Sequence, residues 1–559
     1  MKPNRREFFR TMGVGAAGVG VGPALLASGC APAAPGGGDD PVLQIGEDIA
    51  VVETKYGRVR GYILRGIYHF LGIPYGADTS GTNRFMAPQP PKPWADVYPA
   101  VWWGNSAPVW WSEGRHSHRY NAFVYNSRYS DMSENCLAIN VWTPGYSDGK
   151  KRPVMVYLHG GGFIGGNGGE WESLNGENLC RFGDVVFCSL NHRLGPLGYL
   201  NLAGVGGERY AASGNAGMLD LVLALEWIRD NIERFGGDPG SVTIMGASAG
   251  GAKVTILTAM PSAKGLIHKA VALSGPALLA AEKDHSEGLG AAVVREAGLS
   301  PSQVDRLQQM PWREYYPIAL RASARYNGYK GDYSDRHEGL RLLFNPVVDG
   351  RYLPQHPYHP DPAPTAADVP MLICTTVEEG SPSRYDAALE NVTLDTVVER
   401  VRYTFGDKSR DVVQAYAQAF PDRRPIEIWA MAGAGRIRKQ AVAAADVKSR
   451  QPAPVYLAWF GWHPPLFDSR LRAFHGLDIS FWYYNTDRML TQTGGGKRPR
   501  ALAEKMARSL VQFMRTGDPN GGGLPTWPRY TTQNGETMVL DDVSEVKNDP
   551  DREARKVLP

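Results

Sequence analysis

Cysteine is scarce in this chain: five in 559 residues, at positions 30, 136, 180, 188 and 374. None shows the paired spacing of a metal site, and four in so long a body of chain are too few for a disulfide framework. Buried thiols are the expected reading. An excess of charge of one sign is also missing. Sixty Lys and Arg against 57 Asp and Glu leave a formal net charge of +3, and no long basic block occurs, which excludes the electrostatic footprint of a nucleic-acid binder. Beyond the first thirty residues no apolar run approaches the roughly 20 residues needed to cross a bilayer. No fixed-period repeat is present, and glycine and proline are scattered, as suits many loops more than one disordered tail.

What the N-terminus does have looks like an address. "NRREFFR" carries Arg5 and Arg6 with Phe8 and Phe9, and a weakly apolar run, "MGVGAAGVGVGPALLA", follows. This resembles a twin-arginine export signal, which a receptor reads and which is not an anchor. The run ends in "LLASGC", similar to a bacterial lipoprotein cleavage box with Cys30 as the lipidated residue and Ala27 where leucine is usual. The expected organisation is a signal over 1–30, a flexible linker over 31–45 ("APAAPGGGDDP" at its heart) and a folded body over 46–559. The expected location is periplasmic or extracellular. Membrane contact would come only through the signal or a lipid on Cys30.

From residue 152 short apolar runs alternate with helical ones. "RPVMVYLH" and "DVVFCSLNHRLG" read as strands buried on both faces. "GNAGMLDLVLALEWIRDNIERFGGDP" reads as an amphipathic helix, with Leu221, Leu225, Ile228 and Ile232 at helical spacing and Gly236-Gly237 ending it. Then comes "SVTIMG", a short strand, Ser248, and "AGGAKVTILTAM", a helix stopped by Pro261. The pentapeptide Gly-x-Ser-x-Gly is cheap, with about 0.4 chance matches expected in a chain of this length and composition. Strand, sharp turn with serine, helix is the setting that makes Ser248 a candidate nucleophile rather than a turn serine.

A nucleophilic serine needs a histidine to take its proton and an acid to hold that histidine. Of the twelve histidines, His463 and His475 lie far enough downstream. His463, in "GWHPPL", reads as part of a proline-restrained structural loop, whereas His475, in "RAFHGLDISFWYY", is the candidate base. The acid should end a strand. "VPMLICTTVEEG" finishes in Glu378 and Glu379, and adjacent strand residues face opposite ways, so only one can serve. Residue reasoning leaves the two open. Asp349, in "VVDG", reads as a turn. Upstream, "LHGGGFIGG" follows directly on a strand, and its glycines let backbone N–H groups approach an oxyanion. The lysine and serine/threonine of a phosphate-binding loop are absent from it.

With these parts in order the chain resembles the type-B carboxylesterases, the family of bacterial p-nitrobenzyl esterases and animal cholinesterases. The resemblance rests on "YHFLGIPYG", "SENCLAINVWTP", "HGGGF", "NHRLGPLGYL", the elbow segment, "VVDGRYLP", "TTVEEG", "FHGLDISF" and "TGDPNGGGLPTWPRY". It runs from about residue 50 to the C-terminus. It implies an α/β-hydrolase fold, a large mixed and mostly parallel sheet flanked by helices, with a helical excursion over about 262–368 walling the cleft. It implies Ser248 as nucleophile, His475 as base, Glu379 as acid and Gly161, Gly162 and Ala249 as oxyanion donors, with Ser274 helping to hold the acid. It implies a small-molecule ester substrate and no metal or organic cofactor. Long-chain lipase action and a non-catalytic binding role are the rival functions on the same fold. Three positions depart from the family pattern: Ala247 replaces a glutamate, Asn135 replaces an aspartate, and Cys136 has no upstream partner apart from Cys30.

Overall fold

Along the central strands successive side chains fall alternately into two large hydrophobic clusters, one on each face of the sheet. Val154, Val156 and Leu158 face one side of the sheet and Met155 and Tyr157 the other. Ala270 and Ala272 likewise oppose Val271 and Leu273, and Met371 and Ile373 oppose Leu372 and Cys374. Both faces are apolar because both are covered, which is why these strands read as continuous hydrophobic runs. The protein is described from a computed structural model, over residues 41–109, 119–326 and 344–559. The expected export signal, Cys30 and most of the expected linker lie outside the described residues. Val42–Pro559 forms one compact unit.

Among the described residues the main sheet has twelve strands. Its centre is a run of parallel neighbours, in spatial order Val186–Leu190, Arg152–Leu158, Gly237–Ala247, Lys269–Leu273, Met371–Thr376, Val455–Phe460 and Glu536–Leu540. Antiparallel strands extend both edges, Ala138–Thr143 on one side and Glu545–Asn548 on the other. A small separate sheet pairs Val51–Thr54, Gly57–Arg60 and Tyr98–Pro99. No helix among the described residues is long and apolar enough to cross a membrane.

Two expectations change. The helix Ala216–Asn231 is buried almost all round, with only Glu226, Arg229 and Asp230 outside the buried set. Its second face is covered by the short helix Gly195–Tyr199: a Cβ on Gly217 would lie 2.6 Å from the Tyr199 ring. Asp220 on this helix forms a fully buried ion pair with Arg193 at 2.6 Å. The second change concerns the segment 262–368, which is not wholly an excursion. It opens with a central strand, Lys269–Leu273, and its long helices begin at Lys283–Glu296 and continue with Trp312–Tyr326. The four described cysteines are all buried and free. Near Cys136 the chain is held by Glu134, whose carboxylate takes two hydrogen bonds from the buried Arg84 at 2.6 and 2.7 Å.

Candidate active site

The strand Gly237–Ala247 delivers Ser248 at φ 60° and ψ −128°, and the helix Ala249–Ala259 starts on the next residue. That backbone region favours glycine, so a serine there is held by its surroundings. The Ser248 N–H bonds the carbonyl of Leu273 at 2.9 Å, tying the turn to the neighbouring strand. The flanking glycines are steric necessities. A Cβ on Gly246 would sit 2.5 Å from the Gly250 carbonyl carbon, and one on Gly250 would sit 2.2 Å from the Leu158 oxygen. Ala247, at the end of the strand opposite Leu273, is buried.

Two strands away, Met371–Thr376 ends in a turn that puts Glu379 at φ 52°. The left-handed residue sends the two glutamates to different partners. Glu379 Oε1 accepts the Thr376 N–H at 3.0 Å, and its Oε2 lies 2.5 Å from His475 Nδ1. Glu378 instead meets His463 at 2.8 Å. Each glutamate thus has its own histidine. Burial works against charge on the His475 ring, but the charge and hydrogen bond of Glu379 outweigh it and hold the imidazole above its ordinary range. Asp478, one turn further on and fully buried, has its carboxyl pushed up to about 7 by desolvation and by the Glu379 charge.

The glycine loop lies against the elbow. A Cβ on Gly160 would be 2.8 Å from the Ala247 oxygen and 3.3 Å from Ser248 Cβ. Gly161 and Gly162 adopt φ of 93° and 65°. No hydrogen bond among the described residues takes up the N–H groups of Gly161, Gly162 or Ala249. The helix beginning at Ala249 adds the positive end of its dipole. Beneath the loop lies Lys253, fully buried, its Nζ donating to the His159 carbonyl at 2.8 Å and standing 5.6 Å from the Phe163 ring centre. Burial brings its ammonium down to about 7.

Other readings fare differently. Asp349 is a turn residue, its Oδ1 accepting the N–H groups of Arg351, Tyr352 and Leu353. Ser274 makes no bond to Glu379: among the described residues its buried Oγ has no hydrogen-bond partner, and Thr376 makes both local bonds to Glu379. Lys253, Thr376 and Asp478 were missed. A lysine inside the apolar run "AGGAKVTIL" was the one visible signal among them.

A large, mostly parallel sheet carrying a strained serine elbow, a glycine-rich donor loop and an acid-bound histidine defines a hydrolase of the α/β-hydrolase fold. The carboxylesterase family model matches residues 48–557, and the chain belongs to that family. It is similar to the para-nitrobenzyl esterase of Bacillus subtilis (strain 168), 33% identical, with 91% of this chain and 98% of that protein covered. The phenmedipham hydrolase of Pseudarthrobacter oxydans is 30% identical over 89% of this chain and 97% of its own length. Among solved structures, the Geobacillus stearothermophilus carboxylesterase EST55 superposes with a TM-score of 0.73 at 31% identity, covering 91% of this chain and 100% of that one. The protein is a serine carboxylester hydrolase.

Proposed function

We propose that the protein hydrolyses carboxylic esters through Ser248, His475 and Glu379 with a covalent acyl-enzyme. The observation that carries this reading is the short Nδ1 to Oε2 contact between His475 and Glu379, with Ser248 held in a strained turn that follows a parallel strand at the same end of the sheet. Ser248 Oγ attacks the ester carbonyl while His475 Nε2 takes its proton. The oxyanion is received by the N–H groups of Gly161, Gly162 and Ala249, an arrangement that supplies several kcal/mol of barrier lowering. The tetrahedral adduct collapses, the C–O bond to the alcohol breaks, and His475 returns its proton to the leaving oxygen. Water then repeats the sequence on the acyl-enzyme and frees the acid.

A fluorophosphonate probe is expected to label Ser248 in the folded protein, and p-nitrophenyl acetate turnover is expected to vanish in Ser248→Ala. A folded chain that neither labels nor turns over would instead be a binding protein. Relatives named for p-nitrobenzyl esters and phenmedipham make aryl and benzyl esters the first substrates to try. Rates across acyl chains of two to sixteen carbons separate this reading from a long-chain lipase. Export through the signal over 1–30 is part of the proposal, and fractionation of cells carrying Arg5→Lys with Arg6→Lys tests it.

A further inference from the structure

We propose that Glu378 and His463 form a second acid–histidine pair whose role is to position the loop that carries His475. The proposal rests on the reading of His475 as the base and extends it to the structure behind that residue. Glu378 has a fully buried side chain, 0% exposed. A carboxylate so placed must be paired, and two contacts do this. Oε1 accepts from His463 Nε2 at 2.8 Å, and Oε2 accepts the backbone N–H of Ala473 at 3.2 Å. Ala473 is two residues before His475. One carboxylate therefore joins the end of the acid strand, the Trp462–Pro465 segment and the histidine loop.

His463 is a firm anchor. Its carbonyl accepts from Arg498 Nη1 at 2.9 Å, and that guanidinium stands 4.6 Å from the Trp462 ring centre and grips Asp542 at 2.9 Å. The loop it steadies needs steadying. Phe467, Asp468, Ser469 and Arg472 all have φ between 53° and 62°, a conformation that non-glycine residues leave when released. Arg472 fastens the loop's outer side to Ser381, Ser383 and Glu390. Glu378 fastens the side nearest His475. The two histidines thus divide the labour: His475 meets the substrate, and His463 keeps the approach geometry through Glu378.

Two substitutions test this, read against pH. His463→Phe keeps a ring in the same space and loses the Nε2–H. Glu378→Asp keeps the charge and withdraws the carboxylate by one methylene. Each is expected to lower kcat about 10-fold with KM within twofold, as a small misplacement of a catalytic group does. Each is also expected to move the acid limb of kcat/KM to lower pH, because a loosened loop weakens the Glu379 contact that raises His475. The charged groups acting on that ring are Glu379, Asp478 and Arg384, and none of them is altered. His463→Gln, which retains a donor, is expected to recover most of the lost rate. Unchanged kcat and an unchanged acid limb in the folded variants would overturn the positioning role while labelling of Ser248 in the parent still upheld the triad. A folded parent that never labels would overturn both. If His463→Phe does not fold, Glu378→Asp decides by the same readouts.

Discussion

His475 is bound to Glu379 twice: its Nδ1 lies 2.5 Å from Oε2, and its backbone N–H donates to the Glu379 carbonyl at 2.9 Å. The side-chain contact sets the charge on the ring, and the backbone contact sets where the ring starts. Since the folded protein holds the imidazole above its ordinary value, activity should fall on the acid side at a higher pH than for a free histidine near 6.5. Glu379→Gln removes the charge and keeps the shape. Its acid limb should move to lower pH, while kcat drops by roughly 10³- to 10⁴-fold, as for removal of an orienting carboxylate. A pH series of kcat/KM on both proteins checks the direction.

Lys253 is a stability liability with a definite pH signature. Its folded value is about 7 against 10.5 for a free lysine. Below about pH 7 the lysine is charged in both states, and the full cost of burying it is present. Between that point and 10.5 the native state has released its proton and the unfolded chain has not, so stability climbs with pH. Lys253→Met should stabilise the protein most at about pH 7 and below, by about 5 kcal/mol at most, read as a rise in melting temperature. The gain should shrink toward pH 10. A melting series of variant minus parent isolates this group from the others that titrate.

Two glycines should respond oppositely to the same methyl. Gly250→Ala drives a Cβ to 2.2 Å from the Leu158 oxygen, so loss of activity and a destabilisation of about 3 kcal/mol or more is expected. Gly433 is exposed within the helix Pro425–Lys448 and meets nothing within 4 Å. Gly433→Ala should stabilise by about 0.5–1 kcal/mol. Chemical denaturation of the two variants reads both signs.

The thiols of Cys136, Cys180, Cys188 and Cys374 are buried, and desolvation raises each above its usual range. In a Cys30→Ser variant an aromatic disulfide reagent should find no reactive thiol until the chain unfolds, then four.

The elbow was legible because its requirements are local: Gly246, Ser248 and Gly250 sit within five residues, with the strand before and the helix after in plain view. The glutamate pair was not. Glu378 and Glu379 are the same residue type in adjacent positions, and the choice turns on a left-handed φ at 379 that no periodicity reports. Ser274 failed for a related reason. A hydroxyl in the expected place says nothing about which donor reaches the acid first, and Thr376, three residues from Glu379, is nearer along the chain. The Ala216–Asn231 helix showed its sheet-facing stripe, but the covering of its outer face by Gly195–Tyr199 depends on tertiary packing.

Phe163, Ser248 and Glu379 share one property: each is a non-glycine residue with φ between 52° and 61°. The same surroundings that hold Ser248 at the strand-to-helix turn keep it in a conformation glycine would adopt freely. Ser248→Gly should therefore be more stable than the parent by about 1 kcal/mol or more, read as a higher melting temperature, while losing all turnover. On the proposed mechanism, drift toward silence at this position runs downhill in folding energy, so that only selection for turnover would keep the serine in place.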